Sequence, residues 1–237
     1  MSSEAPVIGV ALSSTPQPIA VHHPTGGSTN FLLVRHGRTA GNVGRVLVGH
    51  TDMPLDEFGA LQAEAVGQYL GGRPKPDVII ASPLIRAQTT AQAIAARFDL
   101  PIELDPQIME LNFGSFEGWT VEQITEQHPE FAQTFTDLEF DRHWPEGERL
   151  SEFHVRVRSA FNRIATDYAS HTVIVVSHGG VLGSFASQLL GTPPNDWSRY
   201  QIQNCSVTHV EFGADNSVIH CLNDIEHLAS LDPERFR

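Results

Sequence analysis

From Phe31 onward, short apolar runs alternate along the chain with segments of helical spacing. The runs at 31–34 and 172–177 lack the polar alternation of a half-exposed strand, which is typical of strands buried on both faces. Strands that alternate with helices form a mainly parallel sheet with helices on both sides. The sequence therefore predicts an α/β fold, a three-layer sandwich around a mainly parallel central sheet.

Capping signals and helical spacing predict the other elements. Ser82 before Pro83, and Ser151, are typical helix N-caps. Leu61, Ala65 and Tyr69 recur every fourth residue and predict one helix face. In the helix that follows Ser151, the predicted apolar stripe is Phe153, Val157, Phe161, Ile164 and Tyr168. The predicted strands are 31–34, 77–81, 101–104 and 172–177, and a closing hairpin covers 207–212 and 217–222. The predicted helices are 57–70, 83–98, 151–168 and 179–190. Residues 106–150 are predicted to be irregular, with one or two helices.

The first 29 residues differ in composition from the rest. They are rich in Ser, Thr, Pro and Gly, so we predict an N-terminal arm over 1–29, mobile or draped over a single domain at 30–237. This stretch lacks the basic region of a signal peptide, and the chain has no apolar run of membrane-spanning length. We therefore expect a cytoplasmic protein, with Cys205 and Cys221 as reduced thiols.

The charge of the chain restricts its partners. Its formal net charge is -13, which disfavours nucleic acid and anionic membranes, so we expect neither as a partner. An anion site in such a chain has to concentrate arginine and histidine locally. The oligomeric state stays open, a homodimer included.

Charged side chains follow the ends of three predicted strands. Arg35 and His36 follow the first, Arg86 lies just after the second, and His178 follows the run at 172–177. Because the carboxyl ends of parallel strands meet at one edge of a sheet, we expect these residues to lie together. Glu110, from the segment after the third strand, is expected to join them.

This set of side chains is suited to phosphoryl transfer. Arginine donors match phosphate oxygens, a neutral imidazole can attack phosphorus, and a carboxyl group can protonate the leaving oxygen. Gly37 and Gly179 are expected to let the backbone approach the anion. The helix that begins after His178 adds favourable partial charge. The residues therefore predict a phosphate-ester site with His36 as nucleophile.

The sequence resembles the histidine phosphatase superfamily, whose fold is phosphoglycerate mutase-like. The resemblance covers about 31–222 and rests on five ordered segments, which are far more specific together than any one alone. They are Arg35-His36-Gly37 with Thr39 and Asn42, Gly49 to Leu55 with Gly59, Ser82 to Ala91, Glu110 with Phe113-Gly114 and Glu117-Gly118, and Val176 to Gly180.

The resemblance implies a role for each matching residue. His36 is implied to be phosphorylated, and Glu110 to donate the proton. No metal and no cofactor are implied. The implied phosphate-binding residues are Arg35, Arg86, His178, Thr39 and Asn42.

Two positions depart from the family pattern. Arg38 stands where the family usually has Glu or Gln. Either it is merely an exposed arginine, or it adds positive charge near the mouth of the site and favours substrates with a second anionic group. Glu148 lies in a segment without the family's usual two glycines, so it is not assigned to the site.

The superfamily contains both phosphatases and mutases. Cofactor-dependent phosphoglycerate mutases carry a longer insertion with paired arginines, whereas here 119–150 is short and Arg142 and Arg149 stand singly. We therefore expect hydrolysis of phosphate monoesters of small metabolites. The alternatives are mutase-type phosphoryl transfer and a non-catalytic phospho-ligand-binding protein. Aromatic residues of this segment either cap the site or pack within the segment: Phe131, Phe135, Phe140, His143 and Trp144.

Overall fold

The N-terminal boundary of the domain lies at the first strand. The computed structural model describes residues 27–137, 141–192, 196, 199–213, 217–232 and 234. Most of the predicted arm, and Phe140, lie outside these residues. Thr29, which we assigned to the arm, instead begins the first strand. Its buried hydroxyl donates to the carbonyl oxygens of Ala165 and Tyr168 at 3.1 and 3.2 Å, which attaches this position to the domain.

The central sheet is mixed and mostly parallel, in the order β3-β2-β4-β1-β5-β6. β1 and β2 each pair in parallel with β4, and β3 pairs in parallel with β2. β5 pairs antiparallel with β1, and β6 with β5, as the predicted hairpin requires. The strands are β1 (Thr29–Arg35), β2 (Val78–Ala81), β3 (Ile102–Leu104), β4 (Thr172–Ser177), β5 (Val207–Phe212) and β6 (Ser217–Asp224).

Helices cover both faces of the sheet. Val173 and Val175 of β4 belong to one buried cluster, whereas Ile174 and Val176 belong to the other, so β4 is buried on both sides. The predicted α/β three-layer fold is confirmed. The helices are α1 (Ala40–Val43), α2 (Glu57–Gly71), α3 (Ile85–Ala95), α4 (Val121–Gln127), α5 (Pro129–Gln133), α6 (Leu150–Asp167) and α7 (Gly179–Leu189), with short 3₁₀ turns at Pro106–Ile108, Gly114–Phe116 and Glu226–Leu228.

The apolar stripe of α6 was predicted correctly. Phe153, Val157, Phe161 and Ile164 are all fully buried. Burial of each such side chain stabilises the fold by about 1.5–3 kcal/mol. The helices α6 and α7 share one face of the sheet, where the Phe161 and Phe185 rings stack at 3.9 Å.

Both predicted serine caps are wrong. The helix α3 begins only at Ile85, after Leu84, because the Ser82 hydroxyl lies 2.7 Å from Nε2 of His178. Ser151 lies inside the first turn of α6, where its hydroxyl donates to Asp141. In each case the hydroxyl that was expected to cap the helix is hydrogen-bonded to a residue outside that helix.

The predicted face of α2 is confirmed only in part, since Ala65 and Tyr69 pack half-buried against the core. Leu61 is 50 % exposed, while Phe58, Val66 and Leu70 are buried. Gly59 explains the rotation, because a Cβ there would lie 2.0 Å from the carbonyl oxygen of Arg38. The start of α2 therefore packs directly on the backbone that follows His36.

Two further expectations concern the thiols and the membrane. Cys205 is buried, Cys221 is half-buried, and both are free cysteines, as expected. Among the helices that the structure describes, none is long and apolar enough to cross a membrane.

Candidate active site

A cavity of about 250 Å³ lies at the carboxyl ends of the parallel strands. Its polar wall contains Arg35, His36, Arg86 and Glu110, which come from three separate segments. The structure thus brings these predicted residues together. Asn42, Gly179, Gly180 and Gln201 also line the cavity, as do Val46, Leu47, Val48, Gly49, Phe113 and Ile202.

His36 presents an unprotonated ring nitrogen to the cavity. Its Nδ1 lies 2.7 Å from the carbonyl oxygen of Gly37, and because a carbonyl only accepts, Nδ1 carries the proton. Burial, followed by the charges of Arg35 and Arg86, lowers the pKa of His36 well below its usual 6.5. The imidazole is therefore neutral at physiological pH, with the Nε2 lone pair available to an electrophile.

The two cavity arginines are held by backbone carbonyl oxygens. Arg86 is 1 % exposed and donates from Nη2 to Gly49 (2.6 Å) and from Nη1 to Thr51 (2.9 Å). Arg35 donates from Nη1 to Ile202 at 2.5 Å. The Nε atoms of Arg35 and Arg86 are buried without a hydrogen-bond partner among the described residues. A buried unpaired donor is costly unless a ligand accepts from it.

His178 lies behind His36 and is not itself a cavity-lining residue. The two ring centroids are 5.1 Å apart. Burial first, and then the charge of Arg86, lowers the pKa of His178 well below its usual 6.5. Its Nε2 is bonded to the Ser82 hydroxyl, while Nδ1 is buried without a partner among the described residues. Ser82 is thus a site residue, although we predicted it as a helix cap.

Glu110 is fixed at the start of α7. Its carboxylate accepts from the backbone amides of Gly180 (3.0 Å) and Leu111 (2.9 Å). A Cβ on Gly180 would lie 2.3 Å from this carboxylate. Glycine at position 180 therefore allows the carboxylate to reach the helix N-terminus, where partial positive charge favours it.

Glu117 holds the loop that in turn holds Arg86. Its carboxylate accepts from the backbone amides of His50 and Thr51, both at 2.7 Å, and from the Thr51 hydroxyl at 2.5 Å. Carbonyl oxygens of this same loop bind Arg86. The Glu-Gly pair at 117–118 was part of the family resemblance, but this positioning contact was not predicted.

An ion pair that was not predicted from the sequence holds the backbone of the segment that carries Glu110. Arg156 of α6 forms a bidentate pair with Glu148, with both distances 2.8 Å. Arg156 also donates to the carbonyl oxygens of Met109 (2.9 Å) and Glu110 (3.2 Å). Glu148 therefore lies outside the cavity but positions the segment that carries Glu110.

Gly37 and Thr39 do not line the cavity, contrary to expectation. A Cβ on Gly37 would lie 2.4 Å from the Gly59 carbonyl oxygen, so this glycine is needed for close packing against α2. Thr39 is fully buried at the N-terminus of α1, where its backbone amide and hydroxyl donate to Oδ1 of Asn42. Thr39 thus orients Asn42, which does line the cavity.

Asn204 was not predicted, and it joins two parts of the site. Its side-chain amide donates to the carbonyl oxygen of His36 at 2.9 Å and to Oδ1 of Asn42 at 3.3 Å. A Cβ on Gly179 would lie 3.4 Å from the guanidinium of Arg35, and the expected approach of the backbone to the anion stays a prediction. Gly179 lines the cavity, so a side chain at this position would narrow it.

The described aromatic residues after position 119 pack together rather than cap the cavity. Phe131, Phe135 and Trp144 lie within 6 Å of one another, measured between ring centroids. Arg142 stacks over Phe135, and Arg149 donates to Asp141. Neither arginine lines the cavity.

Arg38 does not line this cavity either. Its Nε donates to Asp56 at 2.8 Å, and its guanidinium lies 4.6 Å from the centroid of Phe58. It lines a second cavity that shares a wall with the first.

Comparison with known families identifies the chain. Residues 31–225 match the model of the histidine phosphatase superfamily, branch 1. The chain belongs to this superfamily. The predicted recognition is thereby confirmed, over nearly the range that carried the resemblance.

The relatives of this superfamily member include mutase-named and phosphatase-named proteins. A protein of Yersinia enterocolitica named probable phosphoglycerate mutase is 34% identical over 201 residues, covering 83% of this chain and 93% of its own. Phosphoserine phosphatase from Entamoeba histolytica, solved with 3-phosphoglyceric acid, is 28% identical with a TM-score of 0.75, covering 84% and 99%. A mycobacterial glucosyl-3-phosphoglycerate phosphatase, solved with VO3, is 27% identical with a TM-score of 0.72, covering 83% and 99%.

Proposed function

We propose that this histidine phosphatase hydrolyses phosphate monoesters of small metabolites through a phosphohistidine at His36. One observation carries the proposal. Three buried nitrogens surround His36 without a partner among the described residues, namely Nε of Arg35, Nε of Arg86 and Nδ1 of His178. Phosphoryl oxygens are acceptors that would satisfy the arginine donors, and charge stabilisation of this kind is most of what phosphoryl transfer requires.

In the first proposed step, the His36 Nε2 lone pair attacks phosphorus and an N–P bond forms. The bond between phosphorus and the ester oxygen breaks, and this oxygen takes a proton from Glu110 and leaves as an alcohol. In the second step, water attacks phosphorus and gives a proton to Glu110. The N–P bond breaks, which returns neutral His36 and releases inorganic phosphate. Both steps use residues of this chain only, and the expected absence of a metal and a cofactor stays a prediction.

The lining of the cavity supports a small leaving group. Val46, Val48 and Phe113 are apolar lining residues, and the volume of the cavity is about 250 Å³. Among the described lining residues, Arg35 and Arg86 are the cationic side chains. Arg142 and Arg149, the arginines of the segment in which cofactor-dependent mutases hold the bisphosphate, do not line the cavity. This favours hydrolysis.

Mutase-type transfer is the second candidate, because the relative at 34% identity is named a probable phosphoglycerate mutase. One assay distinguishes hydrolysis from mutase-type transfer. We expect inorganic phosphate release from a panel of small phosphate monoesters, with His36→Ala abolishing it while circular dichroism stays native. Interconversion of 3- and 2-phosphoglycerate that far exceeds phosphate release would instead establish the mutase. Activity that survives in His36→Ala would refute the mechanism itself.

A further inference from the structure

A second cavity of about 340 Å³ adjoins the catalytic one. The two share four lining residues, which are Arg35, Asn42, Gln201 and Ile202. A ligand bound in the catalytic cavity would therefore lie next to a second cavity, which is bordered by the same four residues. The mechanism proposed above uses nothing on the far side of that wall.

The charge of the second cavity is positive. Arg35, Arg38 and Arg45 line it, and no aspartate or glutamate is among its described lining residues. This stands out in a chain with a net charge of -13. Arg38 is partly neutralised by Asp56. Arg45 is exposed, and its side chain forms no hydrogen bond or salt bridge with a described residue, although its charge lowers the pKa of Glu122.

Buried amide groups add oriented donors to the same cavity. Gln62 is 2 % exposed, and its Oε1 accepts from the backbone amide of Arg38 at 2.9 Å. Oδ1 of Asn42 accepts from Thr39 and from Asn204. In both side chains the oxygen is occupied, so the NH₂ group is what remains for a ligand. Arginines and amide donors together match an anion.

We infer that the second cavity binds a second anionic group of the substrate, a phosphate or a carboxylate, while the phosphoryl group to be transferred lies beside His36. The inference rests on the proposed phosphatase function and narrows its substrates to doubly anionic esters. Arg38 thus binds substrate, but from the second cavity rather than at the mouth of the first.

Binding of non-hydrolysable ligands tests this independently of turnover. The probes are propylphosphonate and a series of α,ω-alkane bisphosphonates with two to six carbons, titrated calorimetrically into the full chain. At one chain length the bisphosphonate should bind at least tenfold more tightly than propylphosphonate. Arg45→Gln should reduce this ratio roughly tenfold, since one charge-assisted contact is lost. Arg38→Gln should reduce it less, because Asp56 already partly neutralises Arg38.

A matched control removes a positive charge elsewhere. Lys75→Gln changes an exposed residue distant in sequence from both cavities, and should leave the affinity ratio unchanged. Equal affinity of the wild type for every bisphosphonate and for propylphosphonate would overturn the inference while leaving the phosphatase proposal intact. A ratio that survives in both arginine variants would also overturn it. Absence of phosphonate binding together with absence of phosphate release would refute the proposed function itself.

Discussion

The two cavities share a wall but are built in opposite ways. In the catalytic cavity, His36, Arg86 and the nearby His178 are almost fully buried, and backbone carbonyl oxygens hold Arg86 rigidly. In the second cavity, Arg45 is exposed, and its side chain is held by no hydrogen bond among the described residues. Groups that stabilise a transition state have to be oriented beforehand, whereas a group that only recognises charge tolerates motion. This difference agrees with the two proposals, that the first cavity performs the chemistry and that the second selects the substrate.

Replacing one arginine by lysine in each cavity is the most sensitive test of this difference between the cavities. Arg86→Lys removes the planar group that contacts two carbonyl oxygens while its buried Nε stays without a partner among the described residues, and a lysine ammonium cannot reproduce this set of donors. We expect kcat/KM for a singly anionic ester to fall roughly 100- to 1,000-fold. Arg38→Lys should lower it less than tenfold. Steady-state kinetics of both variants check this, and similar losses would remove the distinction between the cavities.

Acid should destabilise the fold through the buried histidines at the catalytic cavity and not through the second cavity. Burial lowers the pKa values of His36 and His178 well below 6.5, so below that pH the unfolded chain binds protons that the folded chain does not. Stability is therefore lost as pH falls from 6.5, by on the order of 1 kcal/mol per pH unit for each imidazole. The described lining of the second cavity contains no histidine.

Urea unfolding between pH 7.5 and 5.5 measures this loss. The double variant His36→Asn/His178→Asn should show a shallower decline in unfolding free energy with acidification than the wild type. Equal slopes would mean that these imidazoles are not held neutral by the fold.

Glu117 should have a smaller effect than Arg86, because it acts on the phosphate through Arg86. Glu117→Gln weakens the contacts to the loop at 50–51, and we expect about a tenfold loss in kcat/KM, mainly through KM. Glu130→Gln, an exposed position on α5, is the control. In an Arg86→Lys background the Glu117 change should cost less than twofold. An additive loss would mean that Glu117 does not act through Arg86.

Sequence patterns predicted the strands and the main site residues because those signals are local. A strand buried on both faces is a continuous apolar run, as at 172–177, and the family segments lie just after such strands. The predicted α6 stripe also held, because its buried residues follow helical spacing along 18 residues.

What sequence reasoning missed depends on contacts between distant segments. Ser82 caps no helix because His178, 96 residues away, takes its hydroxyl. Glu148 reaches the site only through Arg156, and Asn204 is 168 residues from the His36 carbonyl that it binds. No local spacing encodes such pairs. The second cavity was anticipated only in part, through the departure at Arg38, since Arg45 and Gln62 match no motif.

The covalent intermediate is the most direct test of the central claim. Wild-type protein is mixed with a ³²P-labelled monoester, quenched in alkali within milliseconds and digested for mass spectrometry. We predict one labelled peptide, with phosphate on His36, stable in base and lost in acid as expected of phosphohistidine. Label on another residue, or full turnover with no labelled peptide, would contradict the account.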